Sequence, residues 1–293
     1  MLRRAGALLR GEARRVLRAS PGPSRAGSGG GGGLTLRVQH GGIRKIILNN
    51  PQKRNALSFA MLQSLQCDLL HDLENRKLRV IIISAEGPVF SSGHDLKELA
   101  SQGMEHQTRM FSTCAEVMTS IQEIPVPVIA MVDGLATAAG CQLVASCDLA
   151  VASPRSRFAT PGVNVGLFCS TPAVALGRTV PGKVALEMLF TGEPISAQDA
   201  LLHGLLSKVV PEEKLEEETM NIAERICSTS RPVVALGKAI YYKQMAEDVA
   251  SAYRTASQGM VDNLALKDGR EGIEAFFQKR KPLWSHNLDS PPK

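Results

Sequence analysis

Two segments rich in small residues carry the groups most able to do chemistry in this chain. They are FSSGHDLKEL, Phe90 to Leu99, and VDGLATAAGCQLVASCDLAVAS, Val132 to Ser153. Each places small residues where a strand should pass into a helix. A helix N-terminus presents backbone N–H groups without intrahelical partners, and small side chains let a ligand approach them closely. Two such termini that face one point could stabilise an anionic oxygen, as an oxyanion hole does.

This pair of segments resembles the oxyanion motifs of the crotonase (enoyl-CoA hydratase/isomerase) superfamily. The resemblance implies that the two donors are the backbone N–H groups of His94 and Ala139. Relatives usually carry glycines or similarly small residues before Cys141, and Ala138 and Ala139 keep that backbone accessible here. The resemblance also implies a coenzyme A thioester as substrate or ligand, with no tightly bound cofactor and no metal.

The chain departs from the enoyl-CoA hydratases at two positions. Hydratases of the family have glutamates in the segments around GCQL and FATPG, where this chain has Gln142 and Gly162. Hydration of a double bond needs a base to activate water and an acid to deliver a proton. A glutamine cannot accept the proton, and glycine has no side chain. We therefore do not expect ordinary enoyl-CoA hydratase activity.

Several side chains could replace the missing glutamates. The candidates are His94, Asp95, Glu98, Asp133 and Asp148. Asp95 and Asp148 are common motif residues with structural capping roles, which makes them poor candidates. Among the histidines, His94 has the best position for acid–base work. The alternative is that its side chain only contacts substrate or points into solvent.

Two kinds of function stay open on these residues. The protein could be an enzyme that needs mainly enolate stabilisation, such as an acyl-CoA decarboxylase or a thioesterase. It could also be a non-catalytic acyl-CoA binder or regulatory pseudoenzyme in fatty-acid metabolism, a part of lipid metabolism. An intact oxyanion hole serves both, because binding an acyl thioester uses the same groups as activating it.

The resemblance further implies a set of coenzyme A contacts. Cations suit the phosphates of such a cofactor, although a surface lysine can equally be merely solvated. In this family the C-terminal basic residues can reach the cofactor across a subunit boundary, which implies a homo-oligomer, either a trimer or a dimer of trimers. The implied contacts are Lys53, Arg54, Ala56, Leu57, Ser92, Gly93, Asp95, Leu96, Lys97 and Lys281.

The elements that must position these residues alternate between strands and helices. We expect a hairpin from strands 34–40 and 43–50, a helix capped by Ser58 that runs to about Glu74, and a buried strand over 80–85. A helical stretch to about Glu123, a strand over 125–132, a helix from Ala138 to Ser146 and a strand over 147–153 follow. Helices are expected over 196–203, 211–228, 232–247, 248–266 and 270–278.

This order predicts an α/β fold and resembles the ββα spiral core of crotonases followed by a helical C-terminal region. The expected spiral core covers residues 34–195. The helical part covers residues 196–293, and the resemblance assigns it trimerisation and active-site lid roles.

The first 33 residues differ in composition from the rest of the chain. They hold seven arginines and a single acid, so they account for the whole formal charge of +6. An arginine-rich, acid-poor segment with spaced leucines predicts a mitochondrial transit peptide, followed by the glycine-rich linker Gly27 to Gly33. A disordered basic tail is the alternative. We therefore expect the protein to reside in the mitochondrial matrix. The rest of the chain has no net formal charge, which argues against a nucleic-acid partner.

The sequence gives little support for a disulfide framework, a metal site, a nucleotide-binding loop or a serine-hydrolase site. The six cysteines contain no C-x-x-C pair, which favours buried reduced thiols over a disulfide framework or a zinc site. No P-loop, G-x-S-x-G or H-E-x-x-H motif is present. No apolar run reaches the length of a membrane span.

Overall fold

The protein is described here by a computed structural model that covers residues 33–287. The expected transit peptide lies outside the described residues. The main sheet has six strands in the order β1-β2-β3-β5-β7-β10. The hairpin of β1 and β2 is antiparallel, and the other pairings in this sheet are parallel. Its strands are β1 (Thr35–His40), β2 (Ile43–Leu48), β3 (Val80–Ala85), β5 (Val128–Val132), β7 (Leu149–Ala152) and β10 (Lys208–Val209).

A second sheet of four short strands, in the order β4-β6-β8-β9, lies beside the first. It joins the two segments singled out from the sequence, since β4 pairs in parallel with β6 and β6 pairs in parallel with β8. Strands of two or three residues have too little alternation to be seen as a sequence period, and none of these four strands was among the elements expected from the sequence. They are β4 (Val89–Ser91), β6 (Leu135–Thr137), β8 (Arg157–Ala159) and β9 (Ile195–Ser196).

Eleven α-helices pack around the sheets in the part of the chain that is described. In order they are α1 (Phe59–Leu70), α2 (Leu96–Ser101), α3 (Met104–Glu123), α4 (Ala139–Ser146), α5 (Ser170–Thr179), α6 (Gly182–Thr191), α7 (Ala197–Leu202), α8 (Leu215–Cys227), α9 (Arg231–Gln244), α10 (Val249–Ala265) and α11 (Lys267–Phe277). Together with the parallel strands they confirm the expected α/β fold with a helical C-terminal region. None of these helices has the length and apolar character needed to cross a bilayer.

The core follows from the apolar runs. β3 is buried along Val80–Ile83 because α1 and α3 cover one face and α8 covers the other. Ser58 caps α1 as expected, with its hydroxyl accepting from the Met61 N–H at 3.2 Å. The helix α4 is buried at every position, which explains why it consists of small and apolar residues apart from Gln142.

Several expected boundaries were wrong for local reasons. α1 ends at Leu70 instead of Glu74, because Asp72 adopts a positive φ of 43° and turns the chain. The helical stretch to Glu123 is broken at Gly103, which precedes α3. Not all cysteines are buried, since Cys67 is exposed on α1. The last strand of the main sheet, β10, falls inside the region expected to be helical because it completes the sheet beside β7.

The C-terminal helices are fixed to the core by buried polar groups. Lys238 of α9 donates to the carbonyls of Ile121 and Val126 at 2.7 and 2.9 Å and to the Asp148 carboxylate at 2.6 Å. Tyr242 donates to the other oxygen of Asp148 at 2.8 Å. α9 is therefore tied to the edge of the sheet where β5 and β7 begin.

The tail after α11 is fastened in the same manner. Asp268, which is 1% exposed, accepts hydrogen bonds from the Ser285 N–H at 2.8 Å and the His286 N–H at 3.0 Å. It also accepts from the hydroxyls of Ser230 and Ser285. The tail thus lies back against the starts of α9 and α11.

Candidate functional site

The two segments rich in small residues meet at Gly93 and Ala138. A Cβ atom placed on Gly93 would lie 2.7 Å from the Ala138 Cβ, 2.9 Å from the Thr137 carbonyl oxygen and 3.1 Å from the Ala139 nitrogen. Gly93 also has a positive φ of 80°. Only glycine combines that conformation with so close a backbone approach. The structure therefore brings the start of α4 directly against the residue that precedes His94.

The two backbone N–H groups expected to act as donors are free to face a ligand. Leu57 donates its N–H to the Gly93 carbonyl at 2.7 Å. The peptide unit between Gly93 and His94 is trans, so its N–H points away from its carbonyl and hence away from Leu57. Ala139 is the first residue of α4, where an N–H has no intrahelical partner. Both N–H groups therefore lie beside the contact between Gly93 and Ala138.

Ala138 holds this contact in an unusual backbone conformation. Its φ of 51° and ψ of −120° correspond to the first central residue of a type II′ turn, which favours glycine. A non-glycine residue there is strained by about 1–3 kcal/mol. Its N–H donates to the Ala159 carbonyl at 2.9 Å, so β8 keeps the strained residue in place.

The loop before α1 supports the first segment through Asn55, which was not among the site residues expected from the sequence. Asn55 is fully buried and has a positive φ of 51°. Its side chain accepts from the Asn50 N–H at 2.8 Å and donates to the carbonyls of Glu86 and Val89. Ser91 in turn donates its hydroxyl to the Asn55 carbonyl at 2.8 Å. The sequence signal for this role was an asparagine within a basic loop, because asparagine tolerates a left-handed conformation.

Most of the residues implied as coenzyme A contacts lie together in two paired segments, 53–57 and 92–97. Ser92 donates its N–H to the Arg54 carbonyl at 3.0 Å, and Lys53 lies 3.8 Å from Asp95. Ala56 and Leu57 are buried, whereas Lys53, Arg54, Leu96 and Lys97 are exposed. The exposed members form a rim with three cations.

Lys281 does not belong to that group within one chain. It lies in the tail after α11, where its carbonyl accepts from Arg280 at 3.3 Å. Among the contacts of residues 33–287, none joins Lys281 to the segment 53–57. The expected role of Lys281 at a ligand across a subunit boundary stays a prediction.

One ring nitrogen of His94 has a hydrogen-bond partner, whereas the other has none. Nδ1 lies 3.3 Å from the Leu57 carbonyl oxygen, so Nδ1 carries the proton and Nε2 is left as an acceptor. The ring packs edge-on against Phe111, with centroids 5.1 Å apart. Burial lowers the pKa of His94 below its ordinary value of 6.5, against smaller raising effects from the Leu57 carbonyl and from Glu98. The imidazole is therefore neutral at pH 7.

The two positions without glutamate differ in their surroundings. Gln142 lies in the first turn of α4 and is 4% exposed, and its Oε1 has no hydrogen-bond partner. At Gly162, an added Cβ would lie 2.6 Å from the Leu167 carbonyl oxygen and 2.8 Å from the Cys169 sulfur. The space that a side chain at position 162 would need is therefore occupied by Leu167 and Cys169.

The four acids considered as replacements are all committed to structural contacts. Asp95 caps α2 by accepting from the N–H groups of Lys97 and Glu98. Asp133 binds Arg155, which lowers the pKa of that carboxylate. Asp148 binds Lys238 and Tyr242 as described above. Glu98 accepts from the Phe59 N–H at 3.1 Å and pairs with His106 at 2.9 Å.

The chain is similar to known proteins in both sequence and fold. The chain is 69% identical over 269 residues to rat "Enoyl-CoA hydratase domain-containing protein 3, mitochondrial", covering 91% of this chain and 90% of the relative. The crystal structure of human enoyl coenzyme A hydratase domain-containing protein 3 matches with a TM-score of 0.84 and 70% identity, over 85% of this chain and 99% of that one. An enoyl-CoA hydratase structure from Mycobacterium smegmatis matches with a TM-score of 0.83 and 46% identity, over 86% and 98%.

The family model described as enoyl-CoA hydratase/isomerase matches residues 38–287. This range covers nearly all of the described chain, including both segments that meet at Gly93 and Ala138. The chain therefore belongs to the enoyl-CoA hydratase/isomerase family, the crotonases.

Proposed function

We propose that this protein binds an acyl-CoA thioester and holds its carbonyl oxygen between the backbone N–H groups of His94 and Ala139. The observation that carries the proposal is the contact of Gly93 with Ala138 and Ala139, which brings the peptide groups that carry the two expected donors close together. An oxygen held in this way gains most when it becomes negatively charged, and each donor contributes about 3–4 kcal/mol to that state.

Coenzyme A would lie along the paired segments 53–57 and 92–97. Lys53, Arg54 and Lys97 supply cations at the exposed rim, and phosphate groups favour such partners. The substrates of this family carry an acyl thioester, and both donors would bind its carbonyl oxygen. The proposed ligand class therefore rests on the site and on the family together.

The chemistry proposed for the bound thioester is not simple hydration. Gln142 and Gly162 provide no carboxylate, and the space at Gly162 is taken by Leu167 and Cys169. An enzyme that relies on the oxyanion hole, such as an acyl-CoA decarboxylase or a thioesterase, fits this set of residues. A non-catalytic acyl-CoA binder of fatty-acid metabolism is the second candidate, favoured by the commitment of all four nearby acids to structural contacts.

The relatives' names place those proteins in mitochondria, and we propose the mitochondrial matrix for this chain as well. We also propose a homotrimer or a dimer of trimers. An assembly would bring a neighbour's tail, with its Lys281, toward the rim formed by Lys53 and Lys97. It would also cover exposed apolar side chains such as Phe190, Tyr253 and Phe276.

Calorimetric binding of butyryl-CoA to the purified protein tests the proposal. Gly93→Ala should abolish binding, since the added methyl would separate the two donors. Gly41→Ala is the matched control, because Gly41 also has a positive φ, of 59°, but has nothing within 4 Å of an added Cβ. Equal binding by both variants, or no binding by the unaltered protein, would refute the assignment.

A panel of acyl-CoAs then separates the two candidate activities. Saturated, 2-enoyl and malonyl-type thioesters are incubated with the protein and the products are read by mass spectrometry. Loss of CO₂ or release of free coenzyme A identifies the enzyme, whereas tight binding with every thioester unchanged identifies the binder. Hydration of a 2-enoyl-CoA would contradict the interpretation of Gln142 and Gly162.

A further inference from the structure

Buried polar atoms without partners are concentrated around the proposed oxyanion hole. In the described residues, six buried side-chain N or O atoms have no hydrogen-bond partner, and four of them belong to His94, Thr137, Gln142 and Thr160. Since buried polar groups in folded proteins are almost always paired, such a concentration indicates a place where a ligand or water completes the contacts.

The backbone links these four residues to the contact between Gly93 and Ala138. Thr137 contacts Gly93 through its carbonyl oxygen, and it lies opposite Ala159 in the β6–β8 pairing. Thr160 is the next residue after Ala159. Gln142 lies one helical turn after Ala138, to whose carbonyl it donates its N–H at 3.0 Å. Three of the four thus lie in the segments that meet at Gly93 and Ala138, and Thr160 directly follows β8, which pairs with the second of them.

Among these atoms, His94 Nε2 is the only basic one. Thr137 and Thr160 have neutral hydroxyls and Gln142 has a neutral amide, none of which takes up a proton near pH 7. The acids nearby that could act as bases have other partners, as described for Asp95, Asp133, Asp148 and Glu98. One residue therefore carries both an unpaired N–H donor on its backbone and an unpaired lone pair on its side chain.

We propose that Nε2 of His94 is the proton acceptor of this site, and that it removes a proton from the carbon adjacent to the thioester carbonyl of a bound acyl-CoA. This inference rests on the function proposed above. The C–H bond breaks, its proton passes to Nε2, and its electron pair forms the C=C bond of an enolate. The carbonyl π pair moves to oxygen, where the N–H groups of His94 and Ala139 stabilise it. The imidazolium later returns a proton to the same carbon, so that no co-reactant is consumed.

The contacts of His94 suit this role. The Leu57 carbonyl fixes the tautomer in which Nε2 is free, as the orienting partner of a catalytic histidine does. Phe111 packs against the ring and is itself 40% exposed. The thioester oxygen and the adjacent carbon are two bonds apart, so the N–H and Nε2 of His94 would contact neighbouring atoms of the same bound group.

Exchange of the α-hydrogens of butyryl-CoA in D₂O measures this step directly, with NMR or mass spectrometry as the readout. The unaltered protein should incorporate deuterium, and His94→Gln should lower the exchange rate about 100-fold or more. His94→Gln keeps the backbone N–H, so butyryl-CoA affinity should change far less than the exchange rate. His106→Gln is the matched control, since His106 lies on α3 with its Nε2 paired to Glu98, and it should exchange normally.

The pH profile of exchange gives a readout that needs no variant. The rate should fall in acid with a midpoint below 6.5, because burial lowers the pKa of His94. The charged groups on the elements around the ring are Asp95 and Glu98 at the start of α2, Lys53 before α1, and His106 and Arg109 on α3. Glu98 acts in the raising direction.

The possible failures are distinct. Butyryl-CoA binding without exchange, or full exchange by folded His94→Gln protein, overturns the role of His94 and leaves the proposed function intact. If His94→Gln does not fold, as judged by its thermal transition, His94→Asn and the pH profile decide in the same way. Absence of butyryl-CoA binding by the unaltered protein overturns both proposals.

Discussion

The sulfur of Cys169 occupies the space into which a side chain at position 162 would extend, 2.8 Å from where its Cβ would lie. Burial raises the pKa of the Cys169 thiol, against a smaller lowering effect from the Gly162 backbone. The absence of a carboxylate at position 162 is therefore built into the surrounding loop and is not a single-residue loss.

Restoring both glutamates should not restore hydration. Gln142→Glu with Gly162→Glu should show no 2-enoyl-CoA hydratase activity, and Gly162→Glu alone should lower the free energy of unfolding by about 1–3 kcal/mol through overpacking. Hydratase assays and urea unfolding give the two readouts. Gly162→Ala serves as the steric control and should account for much of the destabilisation. A fully stable double variant that hydrates crotonyl-CoA would contradict this view of the loop.

Ala138→Gly should stabilise the protein. Glycine relieves a strain of about 1–3 kcal/mol at the positive φ of 51° but adds conformational entropy to the unfolded chain, so a net gain of about 1 kcal/mol is expected. Thermal unfolding monitors the change. Ala145→Gly, inside the helix α4 that follows, is the control and should destabilise by about 1 kcal/mol. Destabilisation by both substitutions would mean that residue 138 is not strained.

Loss of Lys238 should be costly. Its side chain is 7% exposed and that of Asp148 is 15% exposed. Lys238→Met leaves the carboxylate buried with only the Val128 N–H and Tyr242 as donors, and removal of one partner from such a pair destabilises by about 3–5 kcal/mol.

The double variant Lys238→Met with Asp148→Asn identifies the cause in the same urea titration. It should be more stable than Lys238→Met alone, because it removes the uncompensated charge. Additive losses from the two single substitutions would show that the pair is not coupled.

Stability should fall as the pH is lowered from 7 through the region below 6.5. Burial is the first cause that lowers the pKa of His71, His94 and His286 from 6.5 in the folded protein. In this pH range the unfolded chain binds more protons than the folded protein does. The free energy of unfolding therefore decreases with decreasing pH. Denaturant titrations between pH 7.5 and about 5 measure the slope. His94→Gln should make the slope shallower, and an unchanged slope would argue against a neutral buried imidazole.

The sequence allowed five strands of the main sheet, α1, α4 and the C-terminal helices to be predicted, because their apolar runs and caps are local signals. The sixth strand, β10, was not predicted, since its two residues join the sheet only through pairing with β7. It did not reveal the strands of the second sheet, which exist only through pairing with each other. Nor did it reveal α5 and α6 over residues 170–191, where Pro172 and Gly177 weaken the helical pattern.

The candidate site was predicted only as far as its backbone. The roles of His94 and Ala139 followed from motif resemblance and stay predictions, although the structure brings their segments together. The support from Asn55 and the filling of position 162 by Cys169 depend on contacts between residues distant in sequence or on loop geometry. No periodicity or composition reports such contacts.

The tail that wraps back onto Asp268 has a genetic consequence. A premature stop codon shortly after Phe277 would remove Ser285 and His286 but no residue of either oxyanion segment. Asp268, 1% exposed, would then keep its charge and lose the donors of the tail. The encoded protein should fail through reduced abundance, because cellular proteases remove chains whose unfolded fraction rises, and its level in cells should fall more than its activity per folded molecule.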